Sequence, residues 1–200
     1  RAGGAAVSAA GRHRMVTRAL LRRMPLPAFP EDGDKETRGR VLVIGGSMLT
    51  PGAILLAGTA ALRAGAGKLQ LGTVQGAAVH LGLAVPESLV LGLPARNGEI
   101  AGARAANVLR QHAARADAVL VGPGRAVGRA VKAQLSGLVT GLGAKALLIL
   151  DGAAVIGLRD NGKLLGALPG RVVLTPHAGE VASLMGIERH VVEQNAPAIA

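Results

Sequence analysis

An α/β protein built on a mostly parallel central sheet flanked by helices is what the sequence predicts, and three observations carry that expectation. From Arg40 onward, short apolar runs alternate with helical patterns, as in a sheet whose strands are joined by helices. Half of the residues are apolar, and the core formers are almost all Ala, Val, Leu and Ile, because Phe29 is the single aromatic. Such side chains let helices approach a sheet closely. Each unusual glycine or polar cluster also stands just past the end of an expected strand. At 200 residues the chain is long enough for one domain with a sizeable core.

Residues 1–23 carry Arg, Ala and Gly but no acid. A transit peptide has this composition, and so does an extension upstream of a true start at Met15 or Met24. A simpler reading is a short basic helix over Val16 to Met24, joined to the domain by Pro25 to Pro30. Residues 1–34 are therefore taken as leader and linker, and 35–200 as the domain. Its first strand is Val41 to Ile44, ending at Gly45-Gly46-Ser47. Pro51 marks a helix start, and good helix formers follow from Ala53 to Ala64. Gly65 and Gly67 bracket that helix's end, and Lys68 to Thr73 is the second strand. Ala101 to Arg115 reads as an amphipathic helix with Ala105, Val108, Leu109 and His112 on one face. The strand Ala118 to Val121 stops at Gly122-Pro123-Gly124. Val127, Val131, Leu135 and Leu138 form the next helix's buried stripe. The strands Ala146 to Leu150 and Arg171 to Leu174 end at Asp151 and at Thr175-Pro176-His177.

Composition also excludes functions. Without cysteine there are no disulfides and no thiolate zinc sites, which fits a cytoplasmic protein. The greasiest stretch, Leu81 to Leu93, is interrupted by Pro86 and Glu87 and is too short to cross a bilayer. The net charge of +11 invites a nucleic-acid reading. Much of it sits early, at Arg12, Arg14, Arg18, Arg22, Arg23, Lys35, Arg38 and Arg40. Single-strand binding would need stacking aromatics, which are missing. A solvated surface with a basic leader is expected, with neither nucleic acid nor membrane as partner.

In open parallel sheets, ligands bind at the carboxyl ends of the strands, where the clusters collect here. Gly45, Gly46 and Ser47 could bring backbone N–H groups to an anion, or could be an ordinary strand-to-helix turn. Gly122-Pro123-Gly124 is a tight turn but not the dinucleotide fingerprint, whose third glycine is replaced at Val127. Gly65-Ala66-Gly67-Lys68 is not a P-loop, because Leu62 stands where the first glycine belongs and the segment runs from helix to strand. Asp151 could hold a hydroxyl, a cation or a loop backbone, or cap a helix. His177 and Glu180 complete no metal motif, and Glu180 is suited to capping the next helix. No metal held by protein groups alone is expected.

Together these segments resemble the ADP/ATP-dependent NAD(P)H-hydrate dehydratases of the ribokinase-like superfamily. The matching pieces are RGRVLVIGGS from Arg38 to Ser47, PGAILLA from Pro51 to Ala57 and AALRAGAG from Ala60 to Gly67. Pro86-Glu87-Ser88, VGPG from Val121 to Gly124, Leu150-Asp151 and TPHAGE from Thr175 to Glu180 follow in order. The resemblance implies a three-layer ribokinase-like fold in which Ala53, Gly124 and His177 bind the hydrated nicotinamide nucleotide. Gly45, Gly46, Ser47, Gly122, Asp151 and Glu180 would be pocket neighbours. It further implies a repair reaction that dehydrates hydrated NADH or NADPH with ADP (or ATP) and Mg2+, through a phosphorylated intermediate. Related enzymes assemble, so a homo-oligomer is expected. The family's lysine–glycine loop and Gly-Ser/Thr-Gly-Asp turn, which carries the catalytic aspartate, would lie beyond Ala200, leaving these residues alone without turnover. Gly152 and Ala153 stand where an Ala-Asp pair is usual, and Ala126 replaces a customary glycine. Two other readings remain open on the residues: a ribokinase-like kinase of hydroxyethylthiazole or hydroxymethylpyrimidine, and a non-catalytic nucleotide-binding paralogue.

Overall fold

A computed structural model describes residues 15–25, 33–160 and 162–199. Arg12, Arg14, Phe29 and most of the Pro25 to Pro30 connection lie outside the described residues. The basic segment forms helix α1 (Arg18–Arg22), with the Thr17 hydroxyl accepting from the Leu20 N–H at 3.2 Å. None of its residues is buried, so it is a solvated basic helix.

The domain proper begins with β1 (Arg40–Ile44), α2 (Gly52–Arg63) and β2 (Lys68–Val74). Helix α3 (Gln75–Ala84) and strand β3 (Ser88–Leu93) follow, filling a stretch the sequence marks only as apolar. A two-stranded hairpin, β4 (Ala95–Arg96) and β5 (Glu99–Ile100), turns on Asn97 and Gly98. Both turn residues have positive φ, 51° and 76°, which Asn-Gly tolerates and most pairs do not. Next come α4 (Gly102–Ala113), β6 (Ala118–Val121), α5 (Arg129–Val139), β7 (Leu147–Leu150), the short α6 (Ala153–Ile156), β8 (Val172–Leu174), α7 (Ala178–Met185) and α8 (Arg189–Ile199).

Six strands form one all-parallel sheet in the order β3-β2-β1-β6-β7-β8. Successive connections step outward from β1 in one direction and then in the other, which makes a doubly wound sheet. Side chains alternate across it. Leu42 and Ile44 point to the face covered by α4 and α5, with Leu109, Leu135 and Leu138. Val41 and Val43 point to the face covered by α2 and α3, with Ile54 and Leu81. Beyond that second layer, Leu147 and Val173 keep 43% and 46% of their surface exposed, so the sheet is better covered over β1 to β3 than over β7 and β8.

Boundaries differ from expectation for local reasons. Val127 is exposed and lies outside α5, because Gly128 runs extended into the helix start at Arg129. Val108 is also exposed. The buried stripe of α4 is Gly102, Ala105, Ala106, Leu109 and Ala113, one step around the helix. His112 turns to Gln70 of β2, with Nδ1 3.1 Å from Oε1, and serves the fold. Ala146 closes a turn onto the Gly143 carbonyl instead of starting β7, and Arg171 likewise precedes β8.

Two measurements check this packing. Leu42→Ala, which empties a fully buried site on a central strand, should cost about 2–5 kcal/mol. Leu56→Ala, on an outward-facing position, should change stability by less than about 0.5 kcal/mol. In urea the first lowers the midpoint with an unchanged slope. At the amino rim, Glu36 pairs with Arg40 of β1 and Lys68 of β2. Their hydrogen bonds, Arg40's first, lower its pKa from 4.5 to about 2. A depressed carboxylate stabilises fully above its unfolded value and loses that contribution as pH falls through the folded one. Glu36→Gln should therefore be less stable than the parent near neutrality, with the two urea midpoints converging between about pH 4.5 and pH 2.

Candidate functional site at the sheet's switch point

The strand order reverses between β1 and β6, and the loops leaving these two strands diverge to opposite layers. Their turns meet at close range. Gly46 donates its N–H to the Pro123 carbonyl at 2.7 Å, and Gly122 donates to Ile44 at 3.0 Å. A Cβ on Gly45 would stand 2.4 Å from the Pro123 carbonyl oxygen, so only glycine allows this approach. Gly46 also holds φ at +72°. Gly45 spends its own N–H on the Gly72 carbonyl at 3.0 Å, extending the β1–β2 ladder by one residue. The N–H groups of Gly45 and Gly46 are thus committed to the fold and do not face an anion.

The next residues build the crevice. The Ser47 hydroxyl lies 2.9 Å from that of Thr50 and accepts the Thr50 N–H at 3.2 Å. Thr50 then donates its hydroxyl to the Gly124 carbonyl at 2.7 Å. Gly124, with φ at +67°, lies so close to the first turn of α2 that a Cβ would stand 2.6 Å from that of Ala53. Ala53 and Gly124 therefore touch. The α2 start carries no acid and no side-chain cap, so its uncompensated N–H groups leave a partial positive charge beside Gly124. Thr50 carries no motif of its own in the sequence and is visible only in the structure.

Asp151 follows β7 and accepts the Thr175 hydroxyl at 2.9 Å, linking the ends of β7 and β8. It makes no side-chain cap, since Gly152 is the N-cap of α6. The Gly122 carbonyl and the Glu180 carboxylate lie 3.6 Å and 3.9 Å from where a Gly152 Cβ would be, which gathers three strand ends. His177 is the N-cap of α7. Its Nδ1 accepts from the Gly179 and Glu180 N–H groups at 3.0 and 3.3 Å, while Glu180 Oε2 accepts the His177 N–H at 3.0 Å. With Nδ1 an acceptor, the proton belongs on Nε2, which faces Glu180 Oε1 at 3.1 Å. The reciprocal cap fixes the ring, and 73% of its side chain remains exposed on the same rim as Gly124, two strands away.

Arg125, directly after Gly124, is buried. Its guanidinium meets Glu99 at 3.4 Å, the Ile100 carbonyl at 3.2 Å and the Gln134 side chain. Burial lowers its pKa and the Glu99 carboxylate raises it, leaving an arginine that stays charged. Glu99 also accepts the Ala126 N–H at 3.3 Å, and Gly98 of the same hairpin accepts from Met48 at 2.9 Å. The hairpin thereby ties the loop after β1 to the loop after β6.

A doubly wound parallel sheet with glycine turns interlocked at its switch point is the class of protein these features define, and the fold is similar to that of a ribokinase-like superfamily protein of Enterococcus faecalis, with a TM-score of 0.69, 26% identity and coverage of 86% of this chain and 58% of that one. The sequence pattern of the NAD(P)H-hydrate dehydratases matches residues 41–198. The chain belongs to the NAD(P)H-hydrate dehydratase family. It is 46% identical over 182 residues to an ADP-dependent (S)-NAD(P)H-hydrate dehydratase of Xanthomonas campestris, covering 91% of this chain and 60% of the relative. A bifunctional NAD(P)H-hydrate repair enzyme of Moorella thermoacetica is 32% identical over 187 residues, 94% of this chain and 35% of that enzyme. The Bacillus subtilis ADP/ATP-dependent NAD(P)H-hydrate dehydratase, co-crystallised with ATP and Mg2+, superposes with a TM-score of 0.65 at 28% identity, covering 87% of this chain and 57% of that one. The chain thus spans between a third and two thirds of the length of these relatives.

A glycine contrast tests the interlock. Gly122→Ala would place a Cβ 1.8 Å from the Asp151 carbonyl oxygen at a φ of +129°, and should cost more than about 3 kcal/mol. Gly128→Ala, in extended backbone with open space around it, should change stability by less than about 1 kcal/mol. Paired thermal melts read the difference.

Proposed function

We propose that this chain supplies the substrate-binding part of an ADP-dependent enzyme that returns hydrated NADH or NADPH, in the S form, to the intact cofactor. The observation that carries the proposal is the contact between Ala53 and Gly124 in the switch-point crevice. With His177 on the same rim, these are the residues to which the family resemblance assigns substrate binding. The positive end of α2 and the Gly124 backbone favour an anionic group such as a nucleotide phosphate. The His177 ring, largely exposed and fixed by its cap, is the third group on that rim.

The chemistry suits positioning. Hydroxide is a poor leaving group, so transfer of a phosphoryl group from ADP to the ring hydroxyl, giving AMP, prepares the exit of phosphate. The ring nitrogen's lone pair expels that phosphate, and loss of a proton from the neighbouring carbon restores the ring double bond. A site for such a reaction works by alignment and by neutralising phosphate charge. Among the described residues no three His, Cys, Asp or Glu side chains gather as a metal cage. Asp151 and Glu180 are already bonded to Thr175 and His177. These residues do not fit a magnesium cage of their own, so Mg2+ belongs to the proposal as a companion of the nucleotide's phosphates. A cytoplasmic setting and assembly of like subunits belong to the same proposal. No helix among the described residues is long and apolar enough to cross a membrane.

The test uses protein extended to its relatives' full length. Given hydrated NADPH, it should restore reduced-nicotinamide absorbance only when ADP is added. Gly124→Val should lower kcat/KM at least tenfold. No recovery of absorbance, together with phosphorylation of hydroxyethylthiazole, would mark a vitamin-precursor kinase and overturn the reading.

A further inference from the structure

Three arginines of the described structure have no partner and share one groove. Arg96 of the hairpin, Arg104 of α4 and Arg129 of α5 line a cleft of about 830 Å³ behind the turn that carries Gly124. Each side chain is exposed, and none makes an ion pair or side-chain hydrogen bond among the described residues. The one acid in the lining is Glu99, whose oxygens are taken by Arg125 and the Ala126 N–H. Its charge is therefore spent on a buried cation and does not balance the groove.

The backbone adds to the same sign. The first turns of α4 and α5 both border the cleft, and neither has a side-chain cap or an acid in its first turn. They lie together because of Gly102, where a Cβ would stand 2.4 Å from the Ala130 carbonyl oxygen and 3.0 Å from the Ala133 Cβ. Two helix starts, each with unsatisfied N–H groups, are thus held side by side in a cleft that three arginines also line. Behind Glu99, the fully buried Gln134 bonds Arg125 through its oxygen, and its amide nitrogen has no acceptor. A solvated basic surface would splay its arginines apart. Here all three line one cleft.

We propose that this groove binds a phosphate-dense anion, a pyrophosphate or phosphomonoester group. Guanidinium forks match phosphate oxygens in pairs, and helix starts favour the same ligand. Such a group has two sources: the phosphates at the adenosine end of a nicotinamide dinucleotide reaching past Gly124, or a separate phosphorylated metabolite. Only the first source rests on the dehydratase reading.

Calorimetric titration of the 200-residue chain with inorganic pyrophosphate, at roughly physiological salt, tests the site. One saturable event is expected. The pair Arg104→Gln and Arg129→Gln should raise Kd at least tenfold, with melting unchanged. The pair Arg63→Gln and Arg115→Gln removes the same charge elsewhere and should alter Kd less than twofold. Equal weakening by both pairs, or no saturable binding to the parent, overturns the proposal. NADPH and NADH then separate the sources. If the dinucleotide fills the groove, it competes with pyrophosphate and its Kd rises in the Arg104/Arg129 pair, with NADPH at least fivefold tighter than NADH where the phosphomonoester is the group held. If neither dinucleotide competes while pyrophosphate still binds, the anion is a separate metabolite. A failed dehydratase assay leaves the pyrophosphate titration unaffected.

Discussion

The carboxyl rim depends on how near the turn after β1 comes to the turn after β6. The Gly46 N–H reaches the Pro123 carbonyl at 2.7 Å because Gly45 offers no side chain to hold the turns apart. Everything that defines the crevice follows from that distance. Gly124 is carried against the first turn of α2, Thr50 can span from Ser47 to the Gly124 carbonyl, and the positive end of α2 faces a glycine backbone. An interior is too densely packed to absorb a methyl group at such a contact. The glycines therefore shape the crevice through fold geometry, and their N–H groups are consumed in achieving it.

A buried charge secures the same two loops from the other side. Removing Arg125 from water is costly, and Glu99, Gln134 and the Ile100 carbonyl offset the cost by satisfying its donors. That requirement places Glu99, and through it the whole hairpin. With Gly98 bonded to Met48 and Glu99 to Ala126, neither loop can shift without breaking a bond to the hairpin. The arrangement also disposes of the groove's only acid, so the surface next to the crevice keeps its positive sign. One ion pair thus sets both the rigidity of one site and the charge of its neighbour.

Much of this was legible in the residues. Apolar runs bounded by glycine placed β1, β2, β6 and β7 to within a residue, and the gathering of Gly45, Gly124, Asp151 and His177 on one rim follows directly from parallel pairing. What escaped has identifiable causes. Helix α3 starts immediately after β2 with no turn residue between them, and it contains no charged side chain to mark an outer face. The hairpin did leave a signal, the Asn97-Gly98 pair, though its strands are only two residues long. The part played by Arg125 had none, because a lone arginine in a chain of net charge +11 reads as surface until its partners are known. Nor does sequence say where an N–H goes. The Gly45 and Gly46 amides and the His177 imidazole were readable as residue types at a strand end, but their partners exist only once the turns are folded.

The two rim carboxylates are both engaged in the fold. Asp151 holds the Thr175 hydroxyl, and Glu180 holds both the backbone N–H and the ring of His177. Each is employed in joining a strand end to its neighbour or a helix to its cap, and releasing either would loosen the β7–β8 side of the rim, where Leu147 and Val173 are already partly uncovered. The β1–β6 side, by contrast, is packed on both layers and has its hydrogen bonds closed around Ala53 and Gly124. The crevice around Ala53 and Gly124 thus lies in the rigid half of the sheet. Among the described residues, the two carboxylates on the other half serve the architecture, one by joining neighbouring strand ends and the other by capping α7.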